Sequence, residues 1–263
     1  MEMEMEITSL LLLVIAGFIG GLLNTVASSG SAVTLPAMIF IGLSPQVANG
    51  TNRVALLIGF ILAAYKYHKA GLVDWKRGLK LAPMIIIGTF VGSYFVGQLN
   101  NDDVKHIVAF ALLVSLSLII LRPNTFKDNH SDFKIKPITL GVICTTFLIG
   151  IWGGLIVLDI GTFMLIAFSM QQGMNLQQAN VQKAIQMLFV AGVSLLVFQS
   201  HSKVDWWVAL YLSIGSIAGS YLGTKFTINP DLKKWIYRFL VITIGFEIIK
   251  LLYDDFIKMY LMF

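Results

Sequence analysis

Hydrophobic residues fall in ten runs separated by short polar joints. The first five cover about 7–28, 32–43, 46–66, 79–99 and 104–121, and the second five about 137–157, 160–172, 179–199, 205–226 and 235–253. The runs are continuous rather than alternating, which predicts helices crossing a bilayer and argues against a transmembrane β-barrel. Runs two and seven are about a dozen residues long, too short for roughly 30 Å of hydrocarbon. They are expected as half-helices or re-entrant pieces. The joint at 122–136, RPNTFKDNHSDFKIK, is the one real linker.

One stretch departs from the pattern, Asn24 to Arg53. Its apolar run gives way to Ala27-Ser28-Ser29-Gly30-Ser31, resumes, breaks at Ser44-Pro45 and ends on Asn49-Gly50-Thr51-Asn52-Arg53. Irregular backbone at membrane depth is tolerated only where it is buried in protein or lines a cavity. This flexible, polar stretch is therefore expected to build half of a substrate site. Val33 to Pro36 is expected to open the next helix, with Pro36 in its first turn.

The two halves of the chain repeat at an offset of 131 residues. That shift lays Gly42–Asn49 on Gly173–Asn180, Val73-Asp74-Trp75 on Val204-Asp205-Trp206, and Gly30 on Gly161. Landmarks held at one offset along most of a half mark a duplication. Basic residues then set orientation. Lys66, Lys69, Lys76, Arg77 and Lys80 follow the third run, whereas the equivalent joint after the eighth holds only Lys203. The next joints reverse this, with Lys105 alone against Lys225, Lys233, Lys234 and Arg238. Equivalent joints facing opposite sides are the mark of an inverted repeat. The expected fold class is all-α: a polytopic helical membrane protein of two inverted repeats, about five hydrophobic segments each, with 8–10 spans, two of them short or broken. Residues 1–121 form the first repeat, 122–136 a cytoplasmic linker and 137–263 the second.

Composition agrees, with 57% hydrophobic and 13% charged residues, against roughly 25% charged in soluble domains. The net charge of +5 follows the short loops, so it speaks for the positive-inside rule and not for nucleic acid. A single cysteine, Cys144, leaves no disulfide or redox pair. The first ten residues, MEMEMEITSL, lack a basic region, so the first run is expected to stay rather than be cleaved. The four histidines sit near loops without metal-ligand spacing, and no hydrolase, phosphate-loop or zinc motif occurs. No enzyme, metal or cofactor is expected.

The candidate chemistry gathers at the breaks. Helix ends expose unpaired N–H groups and a partial positive charge, which suits an anion. The first break offers Asn24, Ser28, Ser29, Gly30 and Ser31; the second offers Gly161 and Thr162, beside Asp159. A packing kink at small residues is the bland alternative. Arg53 and Lys183 correspond across the halves with a one-residue slip. A charge at membrane depth costs roughly 2.5–3.5 kcal/mol and is functional by default; the alternative is that both snorkel to an interface. Asn49, Thr51, Asn52, Asn180 and Gln182 could complete the ligand's hydrogen bonds, and Trp152 either lines the site or packs in the core. Asp159 is the candidate for a coupling proton, or it pairs with Lys183, or it caps the following helix.

These motifs resemble a family. Gly17-Phe18-Ile19-Gly20-Gly21, Ser29-Gly30-Ser31 through Leu35-Pro36, and Gly42-Leu43-Ser44-Pro45 through Ala48-Asn49-Gly50-Thr51-Asn52-Arg53 look like the first-half signature of the sulfite exporter TauE/SafE family. Gly150, Gly153-Gly154, Gly161-Thr162-Phe163 and Ala179-Asn180 with Lys183 look like its partner. The resemblance implies a two-repeat transporter for sulfite, organosulfonates or other small sulfur-containing anions. The chain departs from the pattern in its less glycine-rich first break and in Asp159. The expectation is a secondary transporter, working by alternating access in a bacterial or archaeal cell membrane as a multi-pass protein. Its partners would be a small anion, the lipid bilayer, a coupling proton and, for a homodimer, a second copy. The alternatives are a cation or metal permease using Asp159, or a non-transporting membrane assembly protein.

Overall fold

The computed structural model describes residues 7–26, 28, 30–99 and 135–229. The fifth and tenth hydrophobic runs, most of the 122–136 linker and Ser29 lie outside the described residues. Among the described residues there are eight α-helices and no strand: α1 (Ile7–Val26), α2 (Ser31–Phe40), α3 (Pro45–Lys69), α4 (Trp75–Gly97), α5 (Leu140–Leu155), α6 (Ile160–Gln172), α7 (Leu176–Ser200) and α8 (Trp206–Ile228). Four stretches are long and apolar enough to cross a membrane: Ile7–Val26, Pro45–Lys69, Trp75–Val96 and Leu176–Ser200.

Local sequence sets the boundaries. The Ser44 side chain accepts from Val47 N and Pro45 fills the first helical position, starting α3. Asn175 and Gln178 form a reciprocal capping box at the start of α7. Asp74 and Asp205 cap α4 and α8. Such side chains satisfy N–H groups that a helix start leaves orphaned. Helices α3 and α7 begin and end 131 residues apart, as do α4 and α8.

Two sequence expectations are corrected here. Asn49 to Arg53 is regular helix within α3, not flexible backbone, because Ser44 and Pro45 nucleate the helix four residues earlier and its polar groups find tertiary partners. Pro36 lies inside α2 rather than in its first turn, since that helix already starts at Ser31.

The contacts fix the helix directions. Helices α1 and α8 rise together, Gly17 meeting Leu212 and Gly21 meeting Ser216. Helix α3 runs with them, Thr51 meeting Asp205 and Gly59 meeting Ser216 and Ser220. Helices α4 and α5 also run together, Gly88 meeting Phe147 and Gly92 meeting Ile151. Helices α3 and α7 are antiparallel: Arg53 reaches Phe198, while Gly192 faces Leu57. The short helices turn back on their predecessors. Gly20 of α1 packs on Thr34 of α2, and Gly153 of α5 packs on Ile160 at the start of α6. At 1.5 Å per residue, α2 and α6 are about 15 and 20 Å long, so these hairpins turn well short of the length of the long helices.

The two ends of the bundle differ in charge. Among the described residues, Lys66, Lys69, Lys76, Arg77, Lys80, Lys136 and Lys225 lie at the end where α3 and α8 finish and α4 begins. Lys203 lies at the opposite end. Outward faces are apolar throughout, as in Leu148 of α5, Leu196 of α7 and Trp207 of α8.

Close approach depends on small residues, as expected where no hydrophobic drive separates helix from lipid. A Cβ on Gly215 or Gly219 would strike the carbonyl oxygen of Val14 or Phe18 in α1. Gly219→Leu should therefore cost about 1–3 kcal/mol of packing strain and lower the melting temperature in detergent. Gly192→Ala, with only Leu57 at 3.9 Å, should leave melting unchanged; equal effects would contradict this packing.

Candidate functional site

Helix α1 stops where Ser28 takes φ 102, a left-handed conformation unusual for a residue with a Cβ. The Ser28 N–H donates to Leu23 O at 2.7 Å, which closes the turn, and Gly30 N donates to the Asn24 side chain at 3.0 Å. Helix α5 stops at Leu155, and Asp159 turns the chain in the αL region (φ 54) before α6. Aspartate tolerates that region better than most residues. The Asp159 carboxylate does not cap α6; its backbone carbonyl accepts from Thr162 and Phe163. Trp152 steadies this second break by donating from Nε1 to Leu158 O at 3.1 Å and meeting Phe163 edge-on.

Both sequence-predicted cations are fully buried, which removes the snorkelling alternative. Each reaches into the other half of the chain. Arg53 of α3 donates from Nη1 to Gly153 O at 2.6 Å and from Nη2 to Gly154 O at 3.5 Å, at the end of α5. Lys183 of α7 donates from Nζ to Asn24 O at 2.9 Å and to Ser28 Oγ at 3.0 Å, at the end of α1. The asparagines follow the same exchange: Asn49 Nδ2 donates to Leu155 O at 3.0 Å, and Asn180 Nδ2 to Thr25 O at 2.8 Å. A helix C-terminus has unpaired carbonyls and a partial negative charge, so a cation belongs there on electrostatic grounds.

The two hairpin tips touch. A Cβ on Gly161 would stand 2.5 Å from Ser28 Oγ and 3.0 Å from Lys183 Cδ. This joins Ser28, Gly161 and Lys183 in one place. On the first-half side, Asn52 ties α3 to α2, accepting from Thr34 Oγ1 at 2.8 Å and donating to Ser31 Oγ at 3.1 Å. A narrow crevice between α1, α3 and α8 ends at Asn24 and Thr25 and is lined by Gly59, Ser216 and Ser220.

Two predicted residues point elsewhere. Thr51 accepts from Asp205 N at 2.9 Å and so anchors the start of α8. Gln182 faces Gly78 of α4. Sequence reasoning missed Thr34 and Phe198, whose ring lies 5.4 Å from the Arg53 guanidinium carbon, and the Gly153 and Gly154 carbonyls that receive Arg53. Backbone carbonyls carry no residue signature, but Phe198 falls 131 residues after Tyr67, another buried aromatic at a helix end. Some polar capacity remains: Arg53 Nε, Thr162 Oγ1 and Asn180 Oδ1 are buried without a hydrogen-bond partner among the described residues. Such groups cost free energy unless something fills them.

Lys183→Met keeps length and apolar stem while removing a buried charge. It should leave melting in detergent close to that of the parent protein, because relief of the buried charge offsets the loss of the hydrogen bonds to Asn24 O and Ser28 Oγ. A collapse in melting temperature would make Lys183 an obligatory fold element instead.

Known proteins are similar along nearly the whole chain. The profile of the family described as sulfite exporter TauE/SafE matches residues 13–249. A probable membrane transporter protein from Sinorhizobium sp is 28% identical over 84% of each chain. Another from Haemophilus influenzae is 23% identical over 96% of this chain and 98% of its own. The probable membrane transporter protein YunE of Bacillus subtilis is 26% identical over 92% and 97%. No solved structure matches.

Proposed function

The chain belongs to the sulfite exporter TauE/SafE family, a membrane transporter rather than an enzyme, and from that premise we propose that it carries a small sulfur-containing anion, such as sulfite or an organosulfonate. The observation that carries this reading is the pair of buried cations at touching hairpin tips. Among the described residues, the hydrogen bonds that Arg53 and Lys183 donate end on neutral oxygens: backbone carbonyls, the Asn49 amide and the Ser28 hydroxyl. Neutral acceptors orient a cation without cancelling its charge, and at low dielectric that charge attracts an anion strongly. The proposed ligand displaces these oxygens in part and accepts hydrogen bonds from Arg53 Nε and Thr162 Oγ1. Asp159, at the second tip, is the proposed proton-coupling group.

We further read the halves, 1–121 and 137–263 with the linker 122–136, as inverted repeats in the cell membrane. The antiparallel course of α3 and α7 supports this. The basic end of the bundle then faces the cytoplasm. Alternating access follows as relative movement of the two hairpins about the contact at Gly161.

In proteoliposomes, Lys183→Met and Arg53→Met should each lower sulfite or sulfonate flux about tenfold or more, equivalent to roughly 1.4 kcal/mol, with the protein still folded. Unchanged flux would end the anion-site reading, and flux that instead requires a divalent cation and ignores sulfonates would favour a cation permease. Sidedness has its own check in a Cys144→Ser background. Cysteines placed at Lys69 and Lys203 should react with an impermeant thiol reagent from opposite faces of the membrane; labelling from the same face would refute the proposed topology.

A further inference from the structure

At the basic end, α3 and α8 finish side by side, and their last turns put two ammonium groups on one aromatic ring. Lys66 Nζ lies 4.2 Å from the centre of the Tyr221 ring and Lys225 Nζ lies 5.0 Å from it. The two charges are therefore within about 9 Å of each other, by simple addition of those distances. A third, Lys69, lies 5.3 Å from the Tyr65 ring on the same last turns of α3. Among the described residues the one ion pair is Arg77 with Asp74, so none of these three lysines is neutralised by a carboxylate there.

The setting faces lipid. Tyr65 and Tyr221 are 52% and 42% exposed, and the turns leading toward them present Ile61 on α3 and Ile214 and Ile217 on α8, all exposed. Apolar faces that end in tyrosines and then lysines have the polarity profile of one lipid molecule: acyl chains, interface, headgroup. Like charges on one ring repel, and a phosphate between them would remove that repulsion while keeping both cation–π contacts.

We propose that the ends of α3 and α8 form a binding site for an anionic phospholipid, its phosphate held between Lys66 and Lys225 over Tyr221. The proposal does not depend on which anion is transported. Juxtamembrane lysines contribute about 1 kcal/mol each toward anionic lipid, close to fivefold in affinity. A soluble phosphate shares the headgroup chemistry but lacks the acyl chains that the apolar faces would hold.

The test uses the full chain, purified in phosphatidylcholine and titrated with phosphatidylglycerol, with bound lipid read by native mass spectrometry. Phosphatidylglycerol should be retained over phosphatidylcholine. Lys66→Gln with Lys225→Gln should weaken that binding about thirtyfold, while Lys76→Gln with Lys80→Gln, at the same end but on α4, leaves it unchanged. If the double variant does not purify, each single variant should lose about fivefold. Equal retention of the two lipids, or a preference that survives loss of Lys66 and Lys225, would overturn the proposal. Displacement of phosphatidylglycerol by inorganic phosphate at equal concentration would also overturn it, assigning the lysines to soluble anions.

Discussion

A cation at membrane depth needs a counterpart, and here the counterpart is the broken end of a helix. Helices α1 and α5 each stop inside the protein, leaving carbonyls that no later turn can use. Lys183 and Arg53 are delivered to them from the opposite half. Magnitudes show what this arrangement does and does not explain. Insertion of such a charge costs roughly 2.5–3.5 kcal/mol. A helix terminus returns about 0.3–1 kcal/mol, and up to ~2 in buried geometries. Hydrogen bonds to charged groups add about 1.5–3 kcal/mol each. The helix-end charge and the hydrogen bonds together offset the cost of burying each cation.

The rest of the bundle keeps the two tips in register. In lipid, the apolar faces of Leu148 or Leu196 gain nothing by turning inward, so packing relies on contact rather than on exclusion of water. Glycines at α1–α8 and α4–α5 bring backbones within contact of one another, and these two helix pairs carry the hairpins. Serine hydroxyls add cross-links: Ser220 of α8 donates to Gly21 O of α1 at 3.3 Å, and Ser216 of α8 to Ala55 O of α3 at 2.9 Å. The tips meet where no Cβ fits, at Gly161.

Much of this was legible in the chain. The apolar runs gave the helices, because continuous hydrophobicity of this length has few other meanings. Ser44-Pro45, Asp74 and Asp205 start helices through local capping chemistry, though in the sequence they stood out only as a break and as repeat landmarks. The shared offset located Asn49 with Asn180 and Arg53 near Lys183. What was not legible is tertiary. The run Asn49 to Arg53 looks like a break because asparagine, glycine and threonine are poor helix formers, yet partners on α2, α5 and α8 hold it helical. Thr51 and Gln182 sit one residue from site residues, and one residue on a helix is a turn of about 100°, enough to send them to α8 and α4. Beside the Asn49 amide and the Ser28 hydroxyl, the acceptors of the cations are backbone carbonyls, which no residue type announces.

The exchange of cations between halves also has a consequence for how the protein is made. Arg53 and its acceptor Gly153 are 100 residues apart, and Lys183 and Asn24 are 159 apart. At about 5–20 residues per second, Arg53 waits on the order of 5–20 seconds for its carbonyls to be synthesised. Lys183 emerges to find its partner already in place. The first half therefore passes through the insertion machinery as an incomplete object, with a charge that its own sequence cannot satisfy. The second half then supplies the carbonyls that complete it.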